Sequence, residues 1–107
     1  MTKTYKVFFH HGDELTARTR ALKGSASIDE SGLHIAGPSG VTTIPNVDML
    51  KADLFRLHGV GRVIQLDYKG GRVFMSVIRF MVGQFALINF FRTGELQRRL
   101  AAIVKPN

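Results

Sequence analysis

Three groups of side chains in this 107-residue chain have types and spacings that could do chemistry. The first is basic: Arg18, Arg20 and Lys23. Arg18 and Arg20 stand two apart, so an extended backbone puts both on one face, a stripe suited to an anionic ligand. The second is His10-His11 followed by Asp13 and Glu14, which supplies atoms a metal could use. Adjacent residues of a strand point to opposite faces, so the two imidazoles would not converge, and His34 and His58 add no helpful spacing. No metal or other cofactor is expected. The third is Gly59-Val60-Gly61, which lacks the lysine of a phosphate loop and the third glycine of a dinucleotide fingerprint. It reads as a turn. Carboxylates are few, and no Ser-His-Asp set can be proposed from residue order alone. An enzyme is not expected.

Charge sharpens the question of partners. The net charge is +7, carried as +3 each in residues 1–23, 62–88 and 89–107 and offset by −2 in residues 24–61. Such a surface attracts anions in a salt-dependent way, or serves only solubility. Nucleic-acid binding is disfavoured, because stacking platforms need exposed aromatics among basic residues. There is no Trp, and the only local mixture is Phe55-Arg56 with His58 and Arg62. The chain has no cysteine, which excludes disulfides and thiolate metal sites. The opening "MTKTYKVFFHHGDE" is apolar only over "VFF", too short for a signal-peptide core, so cytoplasmic residence is expected, with peripheral contact to a membrane as an option.

Residues 80–91, "FMVGQFALINFF", are uncharged throughout and bounded by Arg79 and Arg92. A membrane span needs roughly 20 apolar residues, so this run is too short to cross a bilayer. It reads first as a buried last strand or the lead-in to a helix. The alternative is an exposed patch with Phe85, Leu87, Phe90 and Phe91 as candidate interface residues, suited to self-association or a partner's groove.

The elements that must position these groups are short strands. In "LKGSASIDESGLHIAG", Leu22, Ala26 and Ile28 alternate with Ser25 and Ser27. Asp29-Glu30-Ser31-Gly32 then turns the chain, and Leu33 and Ile35 resume with His34 opposite. "VTTIP" is a β-branched run closed by Pro45, and Leu50, Ala52 and Leu54 alternate with Lys51 and Asp53. "RVIQLDY" and "RVFMSVIRF" flank Lys69-Gly70-Gly71 as a further hairpin, with Ile64, Leu66 and Tyr68 inward. The period then changes. Thr93 suits an N-cap, Glu95 a first turn, and Leu96, Leu100, Ile103 and Val104 form one apolar stripe. Glu95 and Arg99 are spaced to pair, and Pro106 stops a helix of about residues 93–105.

Many short antiparallel strands closed by one helix resemble the pleckstrin-homology superfold, including its GRAM-like and bacterial relatives. The segments "KGSASIDESGLHI", "VTTIPNVDML", "VIQLDYKGGRVFMSV" and "TGELQRRLAAIV" carry the likeness, over about residues 15–104. The resemblance implies a mainly β fold with one C-terminal α-helix: a bent antiparallel sheet or partly open barrel that the helix caps. Residues 1–107 then form one domain with an N-terminal arm of about 1–14. Lipid-binding members of the superfold place basic residues in the loop after the first strand. With Asp29-Glu30-Ser31-Gly32 taken as that loop, carboxylates stand where phosphates would need cations. The expected function is a non-catalytic binding or adaptor module for a protein, a peptide or a second copy of itself. Attachment to anionic membrane lipid through Arg18, Arg20 and Lys23 is the alternative.

Overall fold

Alternation builds the first strand of the computed structural model, which describes residues 3–12, 22–57, 61–82, 85–88 and 90–104, with the backbone alone at 3, 57, 61, 79–82, 85–88, 90 and 91. Strand β1 (Lys3–His11) buries Tyr5, Val7 and Phe9 on one face and turns Thr4, Lys6, Phe8 and His10 to the other. It pairs antiparallel with β2 on one side and β7 on the other. The segment expected to be an N-terminal arm is therefore the middle of the sheet. Its period-2 pattern, with three large apolar residues on one side, gives it a face to bury.

Strands β2 (Leu22–Asp29) and β3 (Gly32–Gly37) form the expected hairpin. Ala26, Ile28, Leu33 and Ile35 are buried, while Ser25, Ser27 and His34 take the opposite face. Leu22 departs from expectation: it lies opposite Phe9 at the strand's start and stays 42% exposed. With β1 in place, the Asp29-to-Gly32 turn closes the second hairpin of the sheet. Phe9 packs where two glycines leave room. A Cβ at Gly24 would come 2.8 Å from its ring, and one at Gly37 would come closer still.

Strand β4 (Gly40–Pro45) follows, then a 3-10 turn (Asn46–Asp48) and β5 (Met49–Leu57). The β5 alternation breaks between Met49 and Lys51, where the register shifts. Met49 is buried and Leu50 is 55% exposed, so Leu50 does not share the inward face of Ala52 and Leu54. A bulge lets both halves of the strand keep an apolar side toward the core. Strands β6 (Gly61–Tyr68) and β7 (Gly71–Val82) form the second expected hairpin, with Ile64 and Leu66 buried and Tyr68 packed on the core. Their outer face is covered as well. Val63 and Phe74 are buried there, Phe55 meets Phe74 edge-on at 6.1 Å, and His10 stacks on it at 6.4 Å.

The sheet order is β4-β3-β2-β1-β7-β6-β5, a curled antiparallel half-barrel, and β8 (Phe85–Ile88) pairs with the far end of β7. Helix α1 (Phe90–Ile103) packs against β5, β6 and β7, with Leu96 and Leu100 fully buried. It starts earlier than its local signals imply. Thr93 lies inside the helix, completely buried, and its hydroxyl accepts the Val77 N–H at 3.0 Å. Glu95 is not in the first turn; it faces Arg92 at 3.4 Å, while Arg99 donates to the Tyr5 hydroxyl at 3.2 Å. Residues 80–91 are thus not one strand. They comprise the end of β7, β8 and the start of α1. Lys105 and Pro106 lie outside the described residues. The mainly β architecture with one C-terminal helix is as expected, and it is compatible with a pleckstrin-homology-like fold. Among the described residues no helix is long and apolar enough to cross a membrane.

Candidate binding surface

Of the basic stripe expected from the sequence, Lys23 is described and exposed, whereas Arg18 and Arg20 lie outside the described residues. Lys23 sits directly opposite Phe8 on the outer face of the sheet, and Lys6, two residues before Phe8, shares that face. Two basic residues therefore share the outer face with half-buried Phe8. Lys6 is not part of the expected basic stripe, although the alternation of "TYKVFF" carries the signal for its place on this face.

Phe85 and Leu87 lie in β8, opposite Val82 and Phe80 of β7, and Phe90 and Phe91 open α1. The backbone thus brings Phe85 and Leu87 together on one strand and puts Phe90 and Phe91 on a different element. The side chains of all four lie outside the described residues.

The structure gathers a polar cluster that residue order alone did not show. Asp29 Oδ1 accepts the backbone N–H of Ser31 at 2.8 Å, the N–H of Gly32 at 3.2 Å and the Ser31 hydroxyl at 2.6 Å. His34 Nε2 lies 3.0 Å from both Asp29 carboxylate oxygens, and its Nδ1 lies 3.0 Å from Thr43 Oγ1 on β4. The Ser31 hydroxyl, followed by the His34 imidazole and by the Ser31 backbone N–H, holds the Asp29 carboxyl well below the usual carboxylate range. The trio Ser31, His34 and Asp29 is not arranged for nucleophilic catalysis. A nucleophile's base needs a free ring nitrogen facing the hydroxyl, with the carboxylate on the other nitrogen. Here serine and carboxylate share Nε2, and Thr43 takes Nδ1. The cluster fastens the β2–β3 turn and ties it to β4.

His10 and His11 turn to opposite faces, His10 onto Phe74 and His11 edge-on to Phe9 at 5.5 Å. Burial lowers the pKa of His11, and neighbouring His10 adds to the effect. Among the described residues no group of three or more His, Cys, Asp or Glu is placed to hold a metal ion.

The two edges of the half-barrel differ. Residues 31–47, which include all of β3 and β4, carry no Asp, Glu, Lys or Arg. Among the described residues β4 has no strand on its outer side. Which of its backbone groups face that side follows from Pro45, which pairs with Gly32. Proline has no N–H, so this cannot be a hydrogen-bonded pair, and antiparallel pairs alternate. Thr43 opposite His34 and Val41 opposite Ala36 are then also non-hydrogen-bonded to β3. Their N–H and C=O groups point to the open side. Val41 is 67% exposed. The β5 edge, by contrast, carries Lys51, Asp53 and Arg56, is bent by its bulge, and has the Ala52 carbonyl occupied by Gln97 Nε2 of α1 at 2.9 Å.

Comparison of the chain with known protein families, with curated proteins and with solved structures finds no match in any of the three.

Proposed function

We propose that this chain is a non-catalytic binding module whose partner is a protein segment or a second copy of the chain. The observation that carries the reading is the open β4 edge. Natural sheets guard their edges with charge, proline, bulges or cover, and an unguarded one is a template for another strand. Here the guards stand on β5, whereas β4 offers only Pro45 at its end. The finer assignment to a pleckstrin-homology-like, GRAM-like or bacterial relative belongs to the same reading and rests on strand order and the closing helix. Panning a peptide display library against the protein tests it. Bound peptides should be extended and rich in β-branched residues, should stay bound in high salt, and should lose affinity for Thr43→Pro, which removes an edge donor. A library that enriches nothing, with a chain that stays monomeric in light scattering, overturns the reading.

A second reading has its own support. Lys6 and Lys23 flank Phe8 on the outer face, and the connection after β1 contains Arg18 and Arg20. With β1 taken as the superfold's first strand, the position its lipid binders use falls after β1 rather than at the acidic Asp29 turn, which supports the reading of an anionic lipid surface. Each basic residue near such a surface adds about 1 kcal/mol. Flotation with phosphatidylserine vesicles should then weaken for Lys6→Glu with Lys23→Glu and fade as salt rises. Equal flotation of wild type and variant removes this reading.

A further inference from the structure

We infer that the β4 edge takes the β4 edge of a second copy, antiparallel about a two-fold axis through Thr42, so that two half-barrels share one continuous sheet. This deepens the binding-module reading above and rests on it.

The geometry of β4 supplies the self-complementarity. Its edge-directed residues are Val41 and Thr43, two apart, with Thr42 between them. An antiparallel two-fold centred on Thr42 sets Val41 opposite Thr43 of the other copy and Thr43 opposite its Val41. Each of these pairs can exchange both N–H···O bonds, because all the groups concerned already point outward. Pro45 falls opposite Ser39 of the second copy, in the β3–β4 turn, beyond the ladder. Its missing N–H therefore costs nothing in this register. A longer foreign strand would run past Pro45 and leave one acceptor without a donor.

Side chains agree with the backbone. Thr42 meets Thr42 across the axis on the inner face, a favourable cross-strand pair of half-buried hydroxyls. On the outer face Val41 stands beside Thr43, whose hydroxyl is already engaged by His34.

Charge selects the occupant. Two copies of a +7 chain repel wherever their basic segments approach. Residues 31–47 are the stretch without Asp, Glu, Lys or Arg around this edge. A second copy can meet the chain here with no like charge on either strand.

The absence of cysteine makes the register directly testable. In a non-hydrogen-bonded antiparallel pair the Cα atoms stand about 4.5 Å apart. That lies within the range of roughly 4.4–6.8 Å that a disulfide spans. Thr42→Cys in the full chain should therefore give a covalent dimer under mild oxidation at least several-fold faster than Val47→Cys, which is 73% exposed but off the axis. Light scattering of the wild type should show mass rising with concentration and persisting in high salt. Val41→Lys should return it to the monomer mass without lowering the melting temperature of the dilute protein. A monomer at every concentration, equal cross-linking at Val47→Cys, or unchanged association of Val41→Lys each overturns the inference. If the chain is monomeric but display-selected peptides still bind and need the Thr43 N–H, the dimer falls and the edge reading stands. A dimer that Thr42→Cys does not trap also overturns the inference, and moves the contact to another surface such as residues 80–91.

Discussion

The β4 and β5 edges end the same sheet and are built on opposite principles. Strand β5 is covered by a helix, interrupted by a bulge and studded with charge; β4 is uncharged and, among the described residues, held only from its inner side. The hydrogen bonds follow the same division. On the β5 side, polar contacts reach across from α1, as Gln97 does to Ala52. On the β4 side they run inward, through Thr43 and His34 to Asp29, and leave the outer backbone free among the described residues. One edge is closed within the chain, and among the described residues the other is not.

The largest test of that contrast is to remove the helix from β5. Leu100→Ala, at a fully buried position, should cost about 2–5 kcal/mol, read as a lower urea midpoint. An unchanged midpoint would mean that α1 does not hold the β5 side together. Thr93→Val should cost about 1–3 kcal/mol, because it leaves the buried Val77 N–H without its acceptor. Thr93→Ser should restore most of the loss, and failure to do so would point to packing instead.

Gln97→Ala acts on the edge itself. It should cost about 0.5–1.5 kcal/mol. Its sharper readout is association: with Ala52 uncovered, the variant should gain mass in light scattering that Lys51 and Asp53 alone do not prevent. A variant that loses no stability and gains no mass would show that the bulge and charges suffice.

On the β4 side, pH is the probe. The folded Asp29 carboxyl is depressed, so its stabilising effect is present above the unfolded value of about 3.9 and is lost as pH falls below it toward the folded value. Melting temperature should therefore drop more steeply below about pH 4 in the wild type than in Asp29→Asn. Parallel curves would remove the turn cluster's role in holding β4. Smallest of all, Val41→Lys should change monomer stability by no more than about 0.5 kcal/mol, since the site is mostly exposed. A larger loss would mean that this edge is already packed within the monomer.

How much of this is legible in the sequence depends on how local the cause is. The β2–β3 and β6–β7 hairpins read correctly because turn residues and alternating faces adjoin. The central place of β1 does not, since Val7 finds Val77 and Lys3 finds Ile28 across long stretches of chain. Thr93 shows the limit from the other side. Its cap signal is real locally, but a strand N–H claims the hydroxyl and the helix begins earlier. The uncharged run around β4 is plain to read, yet nothing local says that this strand, rather than β8 or β1, ends the sheet.

The pairing of β1 with β7 also sets the order in which the molecule can assemble. Hairpins β2–β3, β3–β4, β5–β6 and β6–β7 each close over a few residues, on the timescale of microseconds. Joining the two meanders requires Val7 to meet Val77 after everything between them has been drawn together. Until that encounter, β1 presents a bare ladder of its own beside the open flank of β4. The partly folded chain bares β7 as well, three unsatisfied margins where, among the described residues, the finished one keeps β4 unguarded, and its slow step is the closure that hides the other two.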